Sequence, residues 1–103
     1  MGLNYVTYDV FNKRVDDILR GLYKYFFENN GNGKHVTFTA RDISNVLNSE
    51  YSVMTIGRTV LPRFEEKGLI RQTWRRRSPR QYMLCVSKEQ LEYILSMRKM
   101  VMF

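Results

Sequence analysis

The residues with the clearest capacity for chemistry are arginines in the last third of the chain. Positions 71 to 80 carry five arginines and no acidic residue: Arg71, Arg75, Arg76, Arg77 and Arg80. Like charges this close repel one another, so a polyanion would be their natural compensation. Arginine also suits insertion into a narrow minor groove of DNA. The pattern indicates a nucleic-acid contact; the alternative is a charged loop that only maintains solubility.

A second set of polar residues follows helical spacing over 52–67. An apolar stripe recurs at three- and four-residue intervals and leaves Ser52, Thr55, Arg58, Thr59 and Arg63 on the opposite side. Short hydroxyls can contact phosphates and base edges, and an arginine can give guanine two hydrogen bonds. This face could read DNA; the alternative is an ordinary solvated face of an amphipathic helix.

Other chemistries find little support in the residue pattern. His35 is the single histidine and no close set of carboxylates or thiols joins it, so we expect no metal site. The neighbouring carboxylates Asp16 and Asp17 point to different helical faces, as do Glu65 and Glu66. No phosphate-binding loop spacing is present. We therefore expect no catalytic residue, no cofactor and no small-molecule ligand.

Composition and charge limit the class of protein. The 103 residues are 44% hydrophobic and allow one compact domain, and 17 basic against 10 acidic residues give a net charge of +7. That excess favours a polyanionic partner. No apolar stretch approaches the ~20 residues of a membrane helix, and no signal-peptide pattern stands at the N-terminus. We expect no membrane association and a cytoplasmic location, in the host cytoplasm if the protein is viral.

Capping signals divide the chain into five predicted elements. Asp9, Thr39, Ser52 and Ser87 are placed as helix N-caps, and Gly68 as the residue that ends a helix. Asp42 and Gln90 follow Thr39 and Ser87 by three residues, which predicts a capping box at each of these two helices. Pro62 interrupts one helical pattern, where we expect a kink or a late helix start. The elements are a first helix over 9–27, a second helix over 39–48, a third helix over 52–67, a hairpin over 69–86 and a last helix over 87–103. In addition, residues 35–38 are β-prone and predict a short strand before the second helix. This order predicts an α+β fold.

Three stretches together resemble the winged helix-turn-helix family of transcription regulators. They are Phe38-Thr39-Ala40-Arg41-Asp42-Ile43, Thr55-Ile56-Gly57-Arg58-Thr59-Val60-Leu61 and Phe64-Glu65-Glu66-Lys67-Gly68-Leu69-Ile70, the last leading into the arginine-rich segment. The resemblance covers roughly residues 35 to 86 and is closest to small stand-alone proteins of archaea and their viruses. It implies a three-helix core, a two-stranded β-hairpin wing and an additional C-terminal helix.

The resemblance also implies how such a protein would bind double-stranded DNA. The helix over 52–67 would be the recognition helix in the major groove, and the wing would contact the backbone or minor groove. Residues in its first two turns would touch bases, which adds Met54 to Ser52, Thr55, Arg58 and Thr59. The implied function is that of a sequence-specific transcription regulator.

The terminal helices carry more apolar residues than a small core can cover, which favours an interface. Winged-helix regulators commonly pair through such helices, and the resemblance therefore implies a homodimer. The predicted interface residues are Phe11, Leu91, Ile94, Leu95 and Val101. The alternative is that these helices wrap their own domain.

Two further functions stay open at this stage. A winged-helix protein can also bind another protein or RNA, for which surface acidity or exposed aromatic residues on the third helix would be favourable signs. A membrane-surface protein would need a basic amphipathic helix, whereas the basic charge here concentrates on a hairpin.

Overall fold

The structure is a computed structural model that describes residues 8–28, 37–73 and 80–101. The first helix, α1, spans Tyr8–Tyr23 and continues as a π-helical turn over Lys24–Glu28. It corresponds to the helix expected over 9–27, with a final turn that the periodicity did not indicate. The buried residues of this helix follow helical spacing: Val15, Ile18, Leu19, Leu22 and Phe26.

A short strand and a capped helix follow. Strand β1 is Thr37–Phe38, and helix α2 is Ala40–Val46. Thr39 forms the predicted capping box, because its Oγ1 accepts from the Asp42 amide at 3.3 Å and the Asp42 carboxylate accepts from the Thr39 amide at 2.8 Å. The helix ends before residue 48, and Asn48 and Ser49 take positive φ angles of 57° and 62°.

The helix over 53–66, α3, is continuous but not uniform. It runs as Val53–Thr55 in α geometry, Ile56–Val60 as a π-helical turn and Leu61–Glu66 in α geometry again. The Leu61 amide donates to the Ile56 carbonyl five residues earlier. Pro62 follows at once and has no amide hydrogen to donate. The expected kink therefore takes the form of a wide turn immediately before the proline.

The sheet has three strands within the described residues, where the sequence predicted a two-stranded hairpin. Strand β2 is Ile70–Gln72, strand β3 is Tyr82–Leu84, and the order is β1-β3-β2 with both pairs antiparallel. Ile70 faces Leu84 and Thr37 faces Met83. Both β2 and β3 are shorter than the strand-like runs of the sequence, which cover 69–74 and 81–86. The third strand is β1, which lies in the β-prone stretch immediately before the Thr39 cap and pairs with the central strand.

The last helix, α4, spans Lys88–Val101 and packs on α1. Its predicted capping box is present, because the Gln90 amide donates to Ser87 Oγ at 3.1 Å and the Ser87 amide donates to Gln90 Oε1 at 2.8 Å. Polar contacts tie it to α1: the Tyr23 hydroxyl donates to the Glu92 carboxylate at 2.6 Å, and the Arg98 guanidinium pairs with the Asp16 carboxylate and donates to Asn12 Oδ1 at 3.1 Å.

One apolar core joins all of these elements. Phe38 of β1 stacks on Tyr82 of β3 with ring centroids 5.5 Å apart, and it meets Phe26 edge to face at 5.6 Å. The fully buried side chains around them come from α1, α2, α3, β2 and α4: Ile18, Leu19, Leu22, Ile43, Ile56, Val60, Leu61, Ile70 and Leu91. The structure confirms the α+β class. In the parts of the chain that it covers, none of the helices combines the length and apolar character needed to cross a membrane.

Candidate nucleic-acid interface

The turn between α2 and α3 is fixed to α1 by one tyrosine. The Tyr51 hydroxyl donates to Asp17 Oδ2 at 2.6 Å, and the Tyr51 carbonyl accepts from the buried Ser44 hydroxyl at 2.9 Å. Tyr51 thus connects α1, α2 and the residue that precedes the Ser52 cap. The start of α3 is held in one position relative to the rest of the domain.

Charges around Asp17 strengthen this connection. Lys13 Nζ lies 2.9 Å from its carboxylate and Arg20 lies 3.7 Å away. Partial burial raises the pKa of Asp17, but the hydrogen bonds from Tyr51 and Lys13 and the charges of Lys13 and Arg20 outweigh it and leave that pKa below the ordinary value of 3.8. Burial and the hydrogen bond to Asp17 raise the pKa of Tyr51 to about 12. Both groups keep the protonation state that their bond requires across neutral pH.

The first two turns of α3 present the hydroxyls that the sequence singled out. Ser52 Oγ accepts from the Thr55 amide at 3.0 Å and lies 3.0 Å from Thr55 Oγ1. The Thr59 hydroxyl donates to the Thr55 carbonyl at 2.5 Å. These hydroxyls are oriented by the helix itself, so a ligand would meet them in fixed positions.

The three long side chains among the predicted contact residues of the same helix are exposed, and one of them packs against α1. Met54 is 61% exposed, which is unusual for a large apolar side chain. Arg58, one helical turn later, is exposed as well. Arg63 instead places its guanidinium carbon 5.1 Å from the centre of the Phe11 ring on α1. The structure therefore places Arg63 apart from the other predicted contacts of α3.

An open groove of about 820 Å³ lies where α2, α3 and β3 converge. Its floor is mainly apolar and its rim carries three arginines, one at the start of α2, one in the middle of α3 and one two residues before β3. The lining residues are Thr39, Ala40, Arg41, Val53, Met54, Gly57, Arg58, Pro62, Arg80 and Tyr82. None of these residues is acidic, and no carboxylate in the described ranges pairs with Arg41, Arg58 or Arg80.

Only part of the predicted wing falls within the described residues. Arg80 reaches the groove, while Arg71 on β2 is exposed and directs Nη2 to Met83 Sδ across the strands at 3.9 Å. Arg75, Arg76 and Arg77 lie outside the described residues. Of the two predicted wing arginines that the structure describes, Arg80 lines the groove and Arg71 lies on the edge strand β2.

Arg41 is the residue of this surface that sequence reasoning did not select. It occupies the second position of α2, next to Asp42 of the capping box, and is exposed. The signal that could have found it is its place in the first turn of a capped helix that directly precedes α3. The amide groups of such a turn favour anions, so a cation there adds to an already positive helix end.

The predicted dimer interface needs one correction. Leu91 is fully buried within the single chain, so it belongs to the core and cannot face a partner. Ile94 and Leu95 are half-buried against that core, and Phe11 is half-buried beneath Arg63. The side chain of Val101 lies outside the described residues. Among the side chains of α4 that the structure describes, the large apolar ones that are exposed are Tyr93, at 65%, and Met97, at 41%.

Comparison of the chain with protein-family models, with curated proteins and with solved structures finds no match.

Proposed function

We propose that this chain is a winged helix-turn-helix protein that binds double-stranded DNA with sequence preference and acts as a transcription regulator. The observation that carries the proposal is the groove, in which Arg41, Arg58 and Arg80 come from three different elements and no lining residue is acidic. Such a concentration of unpaired cations around an exposed helix suits the phosphate backbone on either side of a major groove.

Each rim arginine has a distinct expected role. Arg58 stands on α3, one turn from Thr55 and Met54, and its fixed backbone allows two hydrogen bonds to guanine. Arg41 stands at the start of α2 and Arg80 beside β3, where each would lie against a backbone strand. In this arrangement α3 supplies sequence preference, and the flanking arginines supply affinity and orientation.

A duplex RNA partner is a less suitable alternative for this surface. The major groove of an A-form helix is too deep and narrow for a helix such as α3 to enter. A protein partner would suit the apolar floor, but the rim adds three positive charges that an apolar peptide would leave uncompensated. The rim charge is why double-stranded DNA is the proposed partner.

The proposal includes a homodimer. Because Leu91 is buried in the core, the proposed interface uses other residues of α4. Tyr93 and Met97 stand one turn apart on the outer side of α4, and a symmetric pairing of two copies would cover both. Two recognition helices would then address half-sites about one helical turn, ~10 base pairs, apart.

Fluorescence anisotropy with labelled duplexes across a salt series tests DNA binding. A site selected by the protein from a random pool is compared with an unrelated duplex of equal length. We expect Arg58→Ala to cost the selected site about 1–3 kcal/mol more than the unrelated one. Arg41→Ala should weaken both equally and reduce the salt slope by roughly 0.9 for the lost phosphate contact.

Lys24→Ala and Lys88→Ala are matched controls, because each removes one exposed positive charge outside the groove lining. Both variants should leave the ratio of the affinities for the selected and the unrelated duplex unchanged. Duplex RNA bound as tightly as duplex DNA would favour the RNA alternative. Binding that survives the combined loss of Arg41, Arg58 and Arg80 would show that another surface carries the function.

A further inference from the structure

The most unusual side chain on the proposed DNA surface is Met54. Its 61% exposure places a long apolar group in water on the side of α3 that core packing leaves free. Arginines explain attraction to phosphates, but a methionine contributes nothing to that attraction. An exposed apolar group at the centre of a charged surface therefore calls for a separate partner.

The groove extends this apolar character beyond one residue. Val53, Ala40, Pro62 and Tyr82 line it together with Met54, while Arg41, Arg58 and Arg80 stand around them. Polar base edges and phosphates placed against such a floor would lose water without gaining hydrogen bonds. In unmodified DNA, the 5-methyl group of thymine is the apolar group that the major groove displays.

We infer that this groove is a methyl-reading site, in which Met54 contacts thymine 5-methyl groups while Arg58 binds a nearby guanine. The inference rests on the proposed function and specifies the sequence that it would prefer. Charge complementarity identifies the occupant as DNA, since three guanidinium groups surround the apolar floor and no lining carboxylate opposes them.

The spacing of the two residues sets the distance between the two bases. Met54 and Arg58 stand four positions apart on α3, so their side chains leave the helix about 5–6 Å from each other. Successive base pairs are separated by about 3.4 Å. The thymine should consequently lie within about two base-pair steps of the guanine, on either strand.

The test replaces thymine by deoxyuridine, which removes the methyl group and leaves base pairing intact. Each thymine of the selected site is replaced in turn, and affinity is measured by anisotropy. Replacement of the thymine near the guanine should weaken binding about fourfold, as expected for one buried methyl group. Met54→Gln should abolish this sensitivity, and Met54→Leu should retain it.

Val10→Gln on α1 is the matched control, since Val10 is also an exposed apolar residue, at 51%, but does not line the groove. This variant should preserve the ratio of the affinities for the thymine site and the deoxyuridine site. A selected site that binds deoxyuridine and thymine equally at every position would overturn the inference and leave the proposed function standing. A protein that binds no duplex in preference to another would overturn both.

Discussion

Tyr51 shows how a single residue fixes the orientation of the proposed interface. Its hydroxyl reaches Asp17 on α1, its carbonyl accepts from Ser44 on α2, and Ser52 follows it as the cap of α3. At this end of α3, Ile56 is buried in the core while Met54 and Arg58 are exposed. The tyrosine adds a charged hydrogen bond that links the start of the helix to α1.

Replacing Tyr51 with phenylalanine removes the hydroxyl and leaves the ring. We expect the free energy of unfolding to fall by about 1–2 kcal/mol at neutral pH, the range for a partly exposed hydrogen bond to a charged group. Urea unfolding followed by circular dichroism measures the change.

The pH dependence of this effect follows from Asp17. Its pKa is lower in the folded protein than the ordinary 3.8, so its stabilising contribution is present above that value and is lost as the pH falls through the folded pKa. The destabilisation by Tyr51→Phe should shrink below pH 3.8 because the protonated carboxyl accepts a weaker bond. A difference that stayed constant through this range would contradict the connection to Asp17.

At alkaline pH the contribution of this hydrogen bond to the free energy of unfolding depends on the ionisation of Tyr51 itself. Its pKa is raised from 10.0 to about 12, so its contribution is complete below pH 10 and is lost as the pH rises towards 12.

At the scale of whole elements, the space around two glycines in helices shows how closely the helices approach one another. A Cβ on Gly21 of α1 would lie 3.2 Å from both Ile43 Cγ2 and Leu47 Cγ, whereas a Cβ on Gly57 of α3 would meet Ala40 Cβ at an ordinary 3.5 Å. The close contact between α1 and α2 thus requires a residue without a side chain at position 21. The contact between α2 and α3 has no such requirement at position 57.

Alanine at the two positions should have different effects on stability. We expect Gly57→Ala to raise the free energy of unfolding by about 0.5–1 kcal/mol, because alanine restricts the unfolded chain and favours the helix. Gly21→Ala gains the same helical preference but must displace Ile43 and Leu47, so its net change should be smaller or negative. Thermal unfolding of both variants provides the comparison. An equal gain at both sites would contradict the close approach of α1 and α2.

The same scale shows which parts of the fold were predictable. Thr39 with Asp42, Ser52, Gly68 and Ser87 with Gln90 were recognisable because each cap depends on residues within a few positions. Both π-helical turns were missed, because an extra residue in one turn disturbs the apolar spacing only slightly.

Features that depend on distant contacts were not predictable in this way. The place of β1 in the sheet depends on a partner far along the chain, and two residues carry too short a pattern to indicate pairing. Arg41 was passed over for a related reason, since its importance comes from lying beside Arg58 and Arg80 in space. Leu91 had the correct apolar character, but only packing distinguishes a core position from an interface position.

At the scale of the whole molecule, the proposed dimer predicts a mass and a way to change it. Light scattering should give about twice the 12.4 kDa mass of one chain at micromolar concentration. Tyr93→Arg should shift the protein towards the monomer, because two positive charges would meet across a symmetric interface. Lys67→Glu, an exposed charge change on another element, is the control. A wild-type monomer at high micromolar concentration would exclude this pairing.

The pairing of Thr37 with Met83 also sets an order of assembly. Helices α1, α2 and α3 meet through contacts between neighbouring parts of the chain, whose loops close at a small entropic cost. The β1–β3 pair closes a much longer loop and must wait until β3 has been synthesised. Arg80 reaches its place at the groove only when that strand is in the sheet. During synthesis on the ribosome the helical part can therefore condense first, and the groove that is proposed to bind DNA is completed late, with β3.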